Sequence, residues 1–126
     1  MKKWLPSLLV LLVMLAFQLS ASAAVSHNPK DACGAAGSGL GIASVIIPNQ
    51  KQISKAKYNA LAAQAEGLLE GASTIVRANR SRFPAAVVKS ATKNDPRKLA
   101  QWCRSKYPTG YGDAFSAGVA YARSHS

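Results

Sequence analysis

A chain of 126 residues holds one domain, near the lower end of what can sustain its own core. Sixteen Lys and Arg stand against five Asp and Glu, a formal charge of +11. That balance favours anionic partners: acidic protein faces, lipid headgroups, cell-wall polymers or nucleic acid.

Lys2 and Lys3 begin a positive n-region, and Leu8 to Phe17 runs without a polar side-chain group other than sulfur. Ala21-Ser22-Ala23 completes a secretory signal peptide over residues 1–23, with Ala24 as a neighbouring cleavage point. The apolar run is shorter than the ~20 residues that span a bilayer, which argues against an uncleaved anchor. Lipid attachment at Cys33 fits poorly, because Lys30-Asp31-Ala32 brings charge beside it. The short n-region is of bacterial type, so the chain reads as periplasmic or secreted. Cleavage after Ala23 would leave 103 residues carrying +9.

In an oxidising compartment the even pair Cys33 and Cys103 reads as a disulfide. It would close a loop of about 70 residues and contribute on the order of 4 kcal/mol in the chain-entropy model. Zinc held by these cysteines with His27 and His125 is disfavoured, since no two of the four share a turn or hairpin. No metal and no cofactor is expected.

Residues 24–53 read as an N-terminal segment tethered by that bridge: a mobile lead-in to Cys33, then a glycine-rich run from Gly34 to Gly41. Ile42 to Ile47 is apolar and partly β-branched, and Pro48-Asn49 stops it. A short buried strand or an irregular buried segment is expected there.

Residues 54–126 read as a helical domain. The clearest element is a helix over 54–79, N-capped by Ser54. At 100° per residue, Tyr58, Leu61, Ala65, Leu68, Leu69, Ala72, Ile75 and Val76 form an apolar arc. Lys55, Asn59, Glu66, Glu70, Ser73 and Arg77 form a wet one, and Ala56, Ala60, Ala63, Gly67, Gly71, Thr74 and Ala78 a third of small residues. Two interior glycines cost a helix about 2 kcal/mol relative to alanine, which implies that a second backbone approaches along the small stripe.

Shorter helices are expected over 84–92, 96–106 and 114–123. Pro84 suits a first turn, Asp95-Pro96 supplies a cap and a first helical position, and Tyr107-Pro108 ends that helix. Pro108 to Gly112 reads as a turn, and Asp113 as the cap of the last helix. Ala114, Gly118 and Ala122 form a small ridge, the expected partner of the small stripe on the long helix. The fold class is mainly α: a small bundle of about four helices stapled by one disulfide.

Catalytic combinations are few. Glu66 and Glu70 share a helical face and could serve a glycan hydrolase, but that face is the wet one, where neither carboxylate is desolvated. A nucleophile or two-histidine mechanism lacks a base, since His27 and His125 sit near opposite ends of the chain after signal removal. The glycine run lacks the lysine of a phosphate loop.

The leading expectation is a non-catalytic binding or accessory protein of the cell envelope. Arg77, Arg80, Arg82, Lys89, Lys93 and Lys98 would engage an anionic protein or envelope polymer. Phe83, Trp102 and Tyr107 interleave with these cations, a pattern that also suits single-stranded nucleic acid, which an exported domain meets only in uptake, transfer or toxin settings. A small secreted hydrolase or toxin using Glu66 or Glu70 is the second expectation. A membrane-active domain inserting residues 34–47 into a membrane surface is the third.

Overall fold

A computed structural model describes residues 25–126. The signal peptide expected over 1–23 lies outside the described residues. Within them the chain forms five α-helices and no strand: α1 (Pro29–Ile46), α2 (Lys55–Ala78), α3 (Ala85–Thr92), α4 (Arg97–Lys106) and α5 (Pro108–His125). No helix among the described residues is long and apolar enough to cross a membrane.

The first departure from expectation is α1, a helix where a mobile lead-in, a glycine run and a strand or irregular segment were expected. Asn28 N-caps it by accepting from the Lys30 amide at 3.0 Å, and Pro29 takes the first position, where its missing N–H costs nothing. Four glycines weaken its intrinsic helicity by about 1 kcal/mol each. Burial offsets that loss, for α1 is the central element of the bundle. Its N-terminal half joins Ala72, Val76, Val87, Leu99 and Cys103 in one core, and its C-terminal half joins Leu61, Ala65 and Ala122 in another.

The glycines of α1 let α5 lie against it. A Cβ on Gly37 would stand 2.8 Å from the Tyr111 carbonyl oxygen, and one on Gly41 would overlap the Phe115 carbonyl. From the other side, a Cβ on Gly118 would overlap the Ser38 carbonyl. The Ser38 hydroxyl donates to the Ala114 carbonyl at 3.3 Å across the same contact. The small ridge of α5 therefore meets α1 rather than α2, and Gly67 and Gly71 of α2 have open space beside them. The pairing expected between those two ridges fails because α1, not recognised as a helix, takes the place.

α2 begins at Ser54, whose hydroxyl accepts from the Lys57 amide at 3.3 Å. It runs antiparallel to α1. Two residues of its wet arc are drawn inward: Ser73 is buried, and Arg77 is two-thirds covered beneath α3. Two residues past the end of α3, Asn94 adopts the left-handed conformation (φ 55°) that asparagine tolerates. Asp95 serves the first turn of α4 by accepting from the Arg97 amide at 3.0 Å, with Pro96 between them.

α5 starts at Pro108, six residues before the expected position, and takes in the segment read as a turn. Tyr111 explains the difference. Its ring is buried in the core, its amide donates to the Tyr107 carbonyl at 2.9 Å, and Pro108 suits the first position. Asp113 consequently lies within the helix and caps nothing.

Cys33 and Cys103 form the expected disulfide, with Cα atoms 5.4 Å apart. Both are buried, at 1% and 0% exposure, so the bridge joins α1 to α4 inside the main core. A stable bridge of this kind marks folding in an oxidising compartment.

Candidate functional site

The turn between α2 and α3 carries Arg80 and Arg82 on a single 3-10 turn, Arg80–Arg82, and is tied to the segment before α1 by Asn79. The buried Asn79 amide nitrogen donates to the Ser26 carbonyl at 2.8 Å and the Ile75 carbonyl at 2.9 Å. Its oxygen is thereby left to accept, and it lies 3.0 Å from His27 Nδ1, which fixes that nitrogen as the protonated one. Arg82 donates to the His27 carbonyl at 2.8 Å. The segment expected to be mobile is thus held, and it delivers Lys30 to the same end of the bundle.

There Phe83, Trp102 and Tyr107 pack in sequence, Phe83 tilted against Trp102 with ring centroids 5.2 Å apart and Tyr107 edge to face with Trp102 at 5.8 Å. Phe83 is buried, and Trp102 and Tyr107 are half-buried. Lys30 places its ammonium 5.9 Å from the Tyr107 ring centre. Lys98 and Lys106 stand four residues before and after Trp102 on α4, hence on its face, and both are exposed. Around this aromatic cluster the fold gathers Lys30, Arg82, Lys98 and Lys106, with Arg80 exposed on the adjoining turn.

The remaining predicted cations go elsewhere. Arg77 brackets α2 to the end of α3. It donates to the Ala91 carbonyl at 3.0 Å, Asn94 Oδ1 at 3.3 Å, Thr74 Oγ1 at 3.3 Å and Glu70 Oε1 at 3.1 Å. Its charge and its donors are committed to the fold. Replacing it with alanine lowers stability by about 1–2 kcal/mol, part of the loss being screened at this partly exposed site. Chemical denaturation of Arg77→Ala measures it, and an unchanged midpoint would refute the bracket. Lys89 and Lys93 are exposed on and just after α3. Lys30 and Lys106 lie outside the predicted set: the first falls in the segment expected to be a mobile lead-in, and the second, although its spacing puts it on one helix face with Lys98 and Trp102, is not among the six cations expected to bind.

The chain matches no family model, no curated protein and no solved structure.

Glu66 and Glu70 are exposed, and Glu70 is the ion-pair partner of Arg77. His27 lies beside the C-terminal end of α2, whereas His125 stacks on Tyr121 at the last turn of α5, 3.9 Å between ring centres. No group of three or more His, Cys, Asp or Glu among the described residues is placed to hold a metal ion. The uncharged stretch 34–47 buries Ala36, Ile42, Val45 and Ile46 in the core, so inserting it into a membrane would first open the bundle.

Asp95 has the largest resolved change of acidity. The Arg97 guanidinium hydrogen-bonded to it, and then the Arg97 amide, hold its carboxyl down to about 2, from 3.8. A carboxyl depressed on folding stabilises the fold above its unfolded pKa and loses that contribution as pH falls through the folded one. Stability therefore carries an Asp95 contribution above about pH 4 that vanishes towards pH 2. An NMR titration of the Asp95 carboxyl carbon reads it directly, and a midpoint at 3.8 would show the pair absent in solution.

Proposed function

We propose that this protein is an exported, non-catalytic binding protein of the bacterial cell envelope, which engages an anionic protein or polymer through its basic face. The observation that supports the reading is the gathering of Lys30, Arg82, Lys98 and Lys106 around the Phe83–Trp102–Tyr107 cluster, with Arg80 alongside. The partly exposed Trp102 and Tyr107 rings add contact area and cation–π support to what would otherwise be a solvated charge patch. Two of the five acids, Glu70 and Asp95, are already paired to arginines, and Asp31, beside Lys30, is the acid at this end of the bundle. The periplasm or the outside medium follows from the signal peptide read in residues 1–23 together with the disulfide.

The test compares two charge reversals of equal size at opposite ends of α2. The double variant Arg80→Glu, Arg82→Glu acts on the basic face; Lys51→Glu, Lys55→Glu acts about 35 Å away by helix length. Binding to poly-glutamate is followed through Trp102, the sole tryptophan once Trp4 is removed with the signal. The first pair abolishes binding and the second leaves most of it, and affinity falls steeply between low and moderate salt. Equal loss from both pairs would reduce the face to bulk charge, and salt-independent binding would refute it.

A further inference from the structure

Away from the basic face, α1, α4 and α5 enclose an open cleft of about 840 Å³. That volume lies in the range of small-molecule sites, about 300–1,000 Å³. Its apolar lining comes from Leu40, Ile47 and Pro48 on one side and Ala100, Tyr111 and Phe115 on the other. Ile47 is 62% exposed, the largest exposure of any large aliphatic side chain among the described residues. Together with Leu40 and Phe115 it forms apolar lining that a ligand's alkyl chain would cover.

The cleft has one sign of charge. Arg97 and Arg104 line it from α4, and no acid does. They are seven residues apart, so they share a face about 10 Å apart along the axis. Arg97 is already forked onto Asp95, with contacts of 2.9 to 3.3 Å. Arg104 is not engaged in that way. Its guanidinium lies 5.7 Å from the Tyr111 ring centre, held over an aromatic face with its donors available to a planar anion. Burial pushes the Tyr111 hydroxyl up from its ordinary pKa, which marks this wall of the cleft as poorly solvated. An apolar lining with one available guanidinium among its residues fits a ligand with one alkyl chain and one carboxylate, since arginine binds carboxylates in bidentate fashion.

We propose that the cleft between α1, α4 and α5 binds a fatty acid, its alkyl chain against Leu40, Ile47 and Phe115 and its carboxylate on Arg104. This is independent of the basic face, which involves neither Arg104 nor the cleft lining.

Calorimetric titration of the oxidised protein with laurate, below micelle-forming concentrations, gives saturable binding of one molecule per chain. Affinity rises from octanoate to laurate, by up to about fourfold per methylene. Arg104→Gln weakens laurate tenfold or more, and Ser116→Trp, which fills the cleft from an exposed lining position, abolishes binding. Both variants act at exposed side chains, and circular dichroism verifies their fold. The double variant Arg80→Glu, Arg82→Glu binds laurate like the parent, so failure of the basic-face proposal leaves this one intact. Any of four results would overturn it: no saturable laurate binding; dodecyltrimethylammonium binding as well as laurate; unchanged affinity in both cleft variants; or an acidic amphipathic peptide saturating the cleft while laurate does not.

Discussion

Reducing the Cys33–Cys103 bridge lowers the stability of the domain by about 4 kcal/mol and its melting temperature by roughly 15–30 °C. The loop it closes spans 70 residues of sequence, most of the folded part of the chain. Opening it releases the unfolded ensemble from that constraint. The bridge also fixes α4 against α1, and α4 has few other means of attachment. Of its ten residues, only Leu99, Ala100 and Cys103 are buried. A domain of this size has only about 5–15 kcal/mol in total, so the reduced form stands near the edge of folding at 37 °C. Thermal melts with and without reductant, and of the double variant Cys33→Ala, Cys103→Ala, measure the effect. A shift under about 5 °C would show that the helices hold without the link.

The second large effect separates two sets of glycines that look alike in sequence. Gly41→Val and Gly118→Val each lower stability by at least about 3 kcal/mol, at the upper end of overpacking penalties. In both cases the new side chain meets backbone of the opposing helix, which cannot rotate away, so α1 and α5 must separate. Gly67→Ala and Gly71→Ala act the other way. Their added methyl groups meet nothing within 4 Å, and each replacement raises stability by roughly 0.8–1 kcal/mol through helix propensity alone. Denaturant midpoints of the four variants order as Val below parent and Ala above it. A neutral Gly41→Val would mean that the α1–α5 approach is looser than described.

These glycines show where sequence reading stops. The glycines of the α2 small stripe were expected at a helix crossing because their spacing is helical and their conformational cost demanded a use. Gly67 and Gly71 have none in the packing of this chain. The glycine-rich run of α1 carries no such expectation, although Gly37 and Gly41 also stand four apart. Periodicity marks which residues share a face, but not which face meets a partner. Asn28-Pro29 was the legible sign of a helix start, and the low helix propensity of Gly34, Gly37, Gly39 and Gly41 obscured it. Pro108 to Gly112 was misread on the same ground: proline and glycine punctuate a chain only when no neighbour buries the residue between them, and here the core takes Tyr111.

The candidate sites were legible to unequal degrees. Local charge density identified Arg80, Arg82 and Lys98, and the spacing of Lys98, Trp102 and Lys106 on one face could be read directly. That Arg77 is a bracket depends on Ala91 and Asn94, fourteen and seventeen residues away. The cleft could not be read at all, for its walls come from three helices, one of them unrecognised.

Composition and local pattern by themselves determined the helical class, the long helix capped at Ser54, the pairing of the two cysteines and the excess of positive charge. Each of these depends on one residue's own chemistry or on neighbours within a turn. Tertiary structure alone decided that a glycine-rich segment is the central helix, that α5 rather than α2 packs on its glycines, and that an apolar cleft opens beside Arg104. Those outcomes depend on burial between elements distant in sequence, whose free energy outweighs local propensity and appears only when the opposing surface is in place.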